Sequence, residues 1–150
     1  MSERLYTTRR QQIVGALVTK LKGINGLGNY LTNLNNNVEG RLLFWDEVSQ
    51  FPAVHLNAGS ETREYLGGGQ KIRYLSVTLR CYVNTENATA ALDELLEDIE
   101  TVIEVNSRLP YVDAQNVTQY TQQITIVSID TDEGVLEPYG VAEMQIEVRY

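Results

Sequence analysis

The sequence predicts an α+β fold in which two helices cover one face of a mainly antiparallel sheet of four to five strands. Two amphipathic helical segments lie far apart in the chain, long segments of alternating apolar and polar residues follow each of them, and turn-forming residues separate these segments. Alternating strands joined by short turns pair antiparallel and keep one polar face. The chain has 150 residues, of which 43% are hydrophobic, so a single domain, 1–150, is expected.

An amphipathic helix is predicted within the N-terminal segment 1–24. Apolar residues recur there at the spacing of one helix face: Ile13, Val14, Leu17, Leu21 and Ile24. Thr7 or Thr8 is placed to cap its start, and Gly23 or Gly26 to end it. The following segment, 25–40, is rich in Gly and Asn and is predicted to be a long loop, either functional or mobile.

Three strands and a hairpin arm are predicted between this loop and the second helix. The first two strands are expected at 41–45 and 51–57, joined by a turn. Residues 57–71 are polar and Gly-rich, which is typical of an exposed hairpin arm. The third strand, 71–83, alternates most clearly, and its predicted core side consists of Leu75, Val77, Leu79, Cys81 and Val83.

The second helix is predicted from Asn87 to Glu104, with Asn84 or Thr85 as its cap. A row of acids occupies the faces outside its apolar stripe: Asp93, Glu94, Glu97, Asp98, Glu100 and Glu104. Like charges four residues apart destabilise an isolated helix. The row of acids is therefore either a face that is only solvated or a face with a function.

Two more strands and an acidic turn are predicted after the second helix. A connector broken by Pro110 precedes the fourth strand, which is expected within 117–130. The fifth strand alternates from Ala142 to Tyr150, with the carboxylates of Glu143 and Glu147 on its polar side.

The net charge of −8 is unevenly distributed. Residues 1–80 carry a net +4, and residues 81–150 carry a net −12. A chain polarised in this way can fold into a subunit with one basic and one acidic surface, which favours head-to-tail stacking or side-by-side pairing in a ring. The alternative is that the acidic surface only keeps the protein soluble.

The sequence contains no convincing metal site. Asp130 and Asp132 match the first and third positions of a calcium loop, but Gly134, Val135 and Val141 stand at its fifth, sixth and twelfth positions. One cysteine and one histidine cannot build the usual zinc site.

The two residues best suited to chemistry have plain structural interpretations. Cys81 is expected to be a buried, inert thiol, and His55 a partly buried, hydrogen-bonded histidine. Neither glycine-rich segment has the spacing of a phosphate-binding loop. The sequence therefore predicts no catalytic, cofactor-binding or metal-ligating residues, and no enzyme.

Nucleic-acid and membrane functions also receive little support. The first helix carries five cations, Arg4, Arg9, Arg10, Lys20 and Lys22, but the chain as a whole is acidic and would repel DNA. No apolar run is long enough to span a membrane, and the first twelve residues lack the apolar core of an export signal.

From Trp45 to Tyr150 the order of motifs resembles the tail terminator proteins of long-tailed phages, of the lambda minor tail protein U type. The matching features are Asp46 and Glu47, the Phe-Pro-Ala-Val segment at 51–54, the polar arm and long alternating strand, the second helix, the acidic turn at 130–134 and the closing strand. The first helix agrees in position. The loop Gly26–Gly40 departs from the family pattern because it is longer.

The resemblance implies a structural virion protein that forms a hexameric ring on the tail tube. Such a ring stops tube polymerisation and provides a docking surface for the head connector. The implied partners are further copies of the chain, the tail tube protein and a head-completion or connector protein. Double-stranded DNA would pass through the lumen without specific binding, and no cofactor or membrane is involved. The implied location is the head-proximal end of the tail in the virion, and the host cytoplasm during assembly.

Exposure and position select candidate residues for these contacts. We expect an intersubunit, tube or connector interface at Arg63, Glu64 and Tyr65 in the arm and at Asp130, Asp132 and Glu133 in the acidic turn. Glu143 and Glu147 are expected to line the lumen or a stacking face. The alternatives are another head–tail joining ring, such as a tail completion protein or connector adaptor, a carboxylate-based metal enzyme, and an adaptor unrelated to phages.

Overall fold

The computed structural model describes residues 8–150, apart from the side chain of Trp45. The first residues of the predicted N-terminal helical segment, including Arg4 and the alternative cap Thr7, lie outside the described residues. In the described chain the elements follow the order α1 (Arg9–Leu21), β1 (Val38–Glu39), β2 (Ala53–Tyr65), β3 (Lys71–Asn84), α2 (Ala88–Val105), β4 (Pro110–Val112), β5 (Thr118–Tyr120), β6 (Gln123–Thr131) and β7 (Tyr139–Arg149).

Helix α1 begins at a capping box. The Thr8 hydroxyl accepts a hydrogen bond from the Gln11 amide at 3.1 Å, and the Gln11 side chain accepts one from the Thr8 amide at 3.2 Å. The residues buried along α1 are Ile13, Val14, Leu17 and Leu21, four of the five that the helical spacing predicts. The fifth, Ile24, is also buried, but it lies just beyond the helix.

The fold is mixed α+β, with one five-stranded sheet and one small two-stranded sheet. The strand order in the large sheet is β1-β2-β3-β7-β6. Strands β2, β3, β7 and β6 pair antiparallel, whereas β1 pairs parallel with β2 over two residues. Strands β4 and β5 form the small antiparallel sheet.

The core lies between the large sheet and the two helices. The predicted inward side of β3 is buried throughout, and so is the inward side of β7, namely Ala142, Met144, Ile146 and Val148, with Tyr150 just beyond the strand. Helix α1 contacts β2, and helix α2 contacts β3 and β7. Period-two alternation therefore identified the core side of both central strands.

Residues 41–45 do not form the predicted first strand. A two-residue strand at Val38–Glu39 occupies the β2 edge instead, next to Val54 and His55. Side chains form hydrogen bonds with the backbone carbonyls of the following segment. The Arg41 carbonyl oxygen lies 3.0 Å from the His55 ring nitrogen Nδ1, and the Leu43 carbonyl oxygen accepts a hydrogen bond from the Tyr82 hydroxyl at 2.8 Å. This prediction was wrong because side chains satisfy these backbone groups without a neighbouring strand.

Two further predictions after β3 need correction. Helix α2 is capped by Asn87, whose side chain accepts the Ala90 amide at 3.4 Å, and not by Asn84 or Thr85. The connector around Pro110 is partly ordered as β4, which pairs with β5. Pro110 is tolerated because it is the first residue of its strand.

None of the helices in the described part of the chain is both long and apolar enough to cross a membrane.

Candidate assembly interfaces

The arm residues lie where β2 and β3 extend beyond the rest of the sheet. The last pairs of this hairpin are Glu64 with Ile72 and Tyr65 with Lys71, whereas the pairing of β3 with β7 begins only at Tyr74. The turn at its tip includes two glycines with left-handed backbones, at φ values of 76° and 79°. A side chain at either position would be strained, so the tip conformation requires glycine.

The three predicted arm residues have different environments. Arg63 forms an ion pair with Glu61, with 2.8 Å between Nε and Oε2. Glu64 accepts a hydrogen bond from the Tyr74 hydroxyl at 3.3 Å. Tyr65 is 70% exposed, which makes it the most available apolar contact of the three.

The base of the arm is held by the tyrosine that follows β7. The Tyr150 hydroxyl donates to the Glu61 carboxylate, and the Arg73 guanidinium lies 5.4 Å from the centre of the Tyr150 ring. Burial alone would raise the pKa of Glu61, but the hydrogen bonds from Tyr150 and Arg63 outweigh it and lower the pKa. Burial and the bond to Glu61 raise the pKa of Tyr150.

The acidic turn joins β6 to β7. Asp132 accepts the Gly134 amide at 3.3 Å, and Glu133 and Gly134 have left-handed backbones, at φ values of 55° and 84°. Asp132 therefore shapes the turn, and Glu133 is an exposed carboxylate within it. Asp130 is also exposed, but the prediction that placed it in the turn was wrong, because it belongs to β6 and pairs with Glu143 on β7.

The two predicted interface groups lie at opposite ends of the sheet. The arm projects near the pair Tyr74 and Arg149, and the acidic turn follows the pair Asn84 and Tyr139. Eleven residues of β7 separate these ends, about 35 Å at the rise of a strand. Arg63, Glu64 and Tyr65 therefore do not share a surface with Asp130, Asp132 and Glu133 within one subunit.

Glu143 and Glu147 lie on the polar face of the sheet, opposite the helices. Glu143 pairs with Arg80 at 3.4 Å between Oε2 and Nε and stands opposite Asp130 on β6. Glu147 stands between Ser76 on β3 and Thr125 on β6. Of the two, Glu143 forms an ion pair, and Glu147 lies on the same polar, half-buried face without one among the described residues.

Sequence reasoning missed the edge strand β6 as a candidate interface. It is an outer strand of nine residues, and its exposed apolar side chains include Val127, 63% exposed, and Ile129, 42% exposed. It carries no Lys or Pro, which commonly protect such edges, although its pairing with β7 has a bulge between Ile126 and Ser128. The run of β-branched residues in the sequence was the available signal.

Sequence reasoning also missed a buried carboxylate on α2. Asp98 is only 2% exposed, and it accepts hydrogen bonds from the amides of Leu31 and Thr32 and from the Thr32 hydroxyl. The prediction that placed Asp98 in the acidic row on the faces outside the apolar stripe was therefore wrong. The loop predicted at 25–40 is attached to α2 through this residue.

The two residues with possible chemistry lie inside the fold. Cys81 is fully buried, and burial raises the pKa of its thiol to about 12. His55 is 4% exposed and packs edge-on against the Tyr82 ring, with 5.6 Å between ring centres. Across residues 8–150 no cluster of three or more His, Cys, Asp or Glu side chains is placed to hold a metal ion.

Fold and surface together define a structural subunit with extended strand edges, rather than a protein built around a catalytic cleft. The family model described as "Bacteriophage Tail Tube Terminator Protein" matches residues 1–150. The chain therefore belongs to the phage tail tube terminator family, whose members are structural components of the phage tail and not enzymes.

Two individual comparisons agree with this family. The chain is 34% identical over 149 residues to tail tube terminator protein p142 of Escherichia phage T5, covering 94% of this chain and 92% of that protein. Its fold is similar to a chain in the virion of a native gene transfer agent particle, with a TM-score of 0.56. That second match covers 91% of this chain and 96% of the other at 9% identity, so it supports the fold alone.

Proposed function

We propose that copies of this chain form a hexameric ring that caps the finished tail tube, stops its polymerisation and offers a docking surface to the head connector. The observation that supports the ring is the outer edge of β6, which carries no Lys or Pro and has exposed apolar side chains. An exposed strand edge with apolar side chains pairs readily with another chain, and a contact between two different surfaces closes into a ring when its rotation permits.

The position of the predicted residues supports contacts at two ends of the subunit. The arm with Arg63, Glu64 and Tyr65 projects from one end of the sheet, and the end of β6 and the turn, with Asp130 and Glu133, lie at the other. A subunit with recognition elements at both ends suits a ring that meets the tube on one face and the connector on the other. The ring assembles in the host cytoplasm and remains at the head-proximal end of the tail.

The polar face of the sheet is proposed to line the lumen. Glu143 and Glu147 would then present carboxylates to DNA, and an acidic wall lets the polyanion pass without binding. Charge reversal at these two residues tests this assignment.

The ring is tested with the purified full chain and with tail tubes assembled in its absence. Light scattering should give the mass of six subunits, in solution or on addition of tubes, and negative-stain microscopy should show rings on one end of each tube. Tubes with bound terminator should no longer grow when tube protein is added. A chain that stays monomeric and leaves tube growth unchanged would refute the proposal.

Tubes without heads also separate the terminator from the alternative head–tail joining proteins. A terminator binds a finished tube with no head present, whereas a connector adaptor binds the head first. Binding to heads and not to tubes would favour the adaptor.

A further inference from the structure

The loop after α1 presents two exposed leucines on a fixed backbone. Its neck is closed by the buried side chains of Ile24 and Leu34 and by a 3.0 Å hydrogen bond from the Leu34 amide to the Ile24 carbonyl. Beyond the neck, Leu27 is 70% exposed and Leu31 is 62% exposed. We call these two side chains the leucine patch.

The carboxylate of Asp98 holds the loop in this conformation. It accepts hydrogen bonds from the Leu31 amide at 3.0 Å and from the Thr32 amide at 2.7 Å. The Asn25 side chain accepts a hydrogen bond from the Leu27 amide at 3.0 Å. Gly26 has a φ of +76°, and a Cβ there would lie 3.3 Å from Asn33. A loop that is already ordered loses little entropy on docking, which favours a role in recognition.

The charges around the leucine patch define the partner it fits. Residues 23–38 contain no charged side chain, but α2, to which the loop is attached, carries exposed carboxylates on neighbouring positions, Glu94 and Glu97. The complementary surface is therefore an apolar recess with cations at its rim.

The same chain carries such a recess between α1 and β2. This α1–β2 groove has a volume of about 810 Å³, and Val14, Val18 and Ala58 contribute its apolar lining, with Arg10 beside them. Arg10 is the cation among the residues that line this groove, since Lys20 lies on another side of α1, next to Pro110 and Tyr111. Between described residues, neither the α1 cations nor the exposed α2 carboxylates form an ion pair within 4.0 Å. The Arg10 guanidinium donates one hydrogen bond to the Gly59 carbonyl, and its remaining N–H groups form no hydrogen bond between described residues.

We propose that the leucine patch of one subunit docks in the α1–β2 groove of a second copy. The contact joins two different surfaces, so it can repeat around a ring, and it places the acidic α2 against the basic α1 of the neighbour. This inference rests on the proposed ring and assigns it a specific contact. It also accounts for the uneven charge of the two halves of the chain.

Disulfide trapping tests the contact directly. Cys81 is fully buried with a raised thiol pKa, so cysteines introduced at the surface react first. One variant carries Leu31→Cys, and the other carries Gly15→Cys, a groove position whose added Cβ would meet nothing within 4 Å. A disulfide forms only when the two Cα atoms approach to about 7 Å or less.

The two variants are mixed with tail tubes and oxidised mildly. The expected product is a disulfide-linked heterodimer. Its yield should be about tenfold above that of a control pair in which Val135→Cys replaces Leu31→Cys, because two thiols that docking holds close together have a high effective concentration. Val135 is 82% exposed and lies outside the proposed contact. The variant with both cysteines should give a ladder of linked subunits.

Two outcomes would count against the inference, and they are distinguishable. In the first outcome, rings form on tubes, but the yield of the crosslink between positions 15 and 31 is zero or no higher than that of the Val135→Cys control. This result overturns the docking contact and leaves the proposed ring intact. The absence of both rings and tube capping would refute the proposed function, and this inference with it.

Discussion

At the scale of single residues, two buried carboxylates hold the parts of the chain that project from the sheet. Glu61 connects the base of the arm to Tyr150, and Asp98 connects the loop after α1 to α2. Both carboxylates have low exposure and accept hydrogen bonds from several donors. Neither connection could be identified from sequence, because Tyr150 lies 89 residues from Glu61 and Thr32 lies 66 residues from Asp98 along the chain.

Replacing Tyr150 with Phe should weaken the base of the arm in a pH-dependent way. The variant loses one hydrogen bond to a carboxylate, and we expect a loss of about 1 kcal/mol in the free energy of unfolding at pH 7. Because the pKa of Glu61 is lowered in the folded chain, its contribution is present above the ordinary value of 4.5 and is lost as the pH falls through the lower folded value.

The difference between wild type and Y150F should therefore shrink in acid. Urea unfolding at pH 7 and at progressively lower pH measures it, with Tyr120→Phe as the control because Tyr120 is 55% exposed. An equal difference at every pH would contradict the role of the Glu61 carboxylate.

Replacing Asp98 with Asn should release the loop. The carboxamide has the same size and keeps one acceptor oxygen, but its NH2 group replaces the other, which leaves at least one of the buried loop donors unpaired at a cost of about 1–3 kcal/mol. We expect faster proteolysis within residues 25–33 and a lower unfolding midpoint in urea. Asp93→Asn, on an exposed position of the same helix, should remain within about 0.5 kcal/mol of wild type.

At the scale of elements, the edge strand β6 is the exposed feature that most needs a partner. A lysine at Val127 should protect the edge, since a charged side chain discourages strand pairing. The side chain is already 63% exposed, so stability should change by only about 0.5 kcal/mol. Light scattering and tube capping should show that V127K fails to assemble, whereas the surface variant Val117→Lys, at a side chain that is 51% exposed and outside the proposed contacts, still does.

The elements also show which parts of the fold a sequence can predict. The helices α1 and α2 and the strands β3 and β7 follow from periodicity, because each buries one side against a single core. The short strands do not. The β2 edge is occupied by Val38–Glu39 and not by 41–45, since the choice depended on His55 and Tyr82 binding the backbone of 41–43.

The candidate surfaces were only partly predictable for a similar reason. The arm and the acidic turn have local signals in their Gly and Asp content. The exposure of β6 depends on strand order, and the position of Leu31 depends on the hydrogen bond from its amide to Asp98, so both required the assembled fold.

At the scale of the whole molecule, the polar face of the sheet is the surface proposed to meet DNA. Reversing the charge of Glu147 together with Glu143 should leave the core unchanged but place cations on that face. We expect rings and capped tubes to form, while infectivity falls about tenfold because DNA binds the wall instead of passing.

Phage complementation with the double variant E143K/E147K measures this, and Glu104→Lys, at an exposed position on the helical side of the sheet, is the control. Because Glu143 also pairs with Arg80, the single variant E147K separates the loss of that ion pair from the effect of charge on DNA. Normal infectivity of the double variant would remove these residues from the lumen.

The position of β7 between β3 and β6 has a consequence for the order of synthesis. β3 is made early, but one of its two partners is β7, which follows β3 by more than fifty residues, and β6 has no other neighbour in the large sheet. On the ribosome, a nascent chain that has not yet produced β7 exposes one side of β3 and both sides of β6. Translation that pauses before Tyr139 should therefore recruit chaperones or lead to aggregation, and the sheet closes only when the last of these strands emerges.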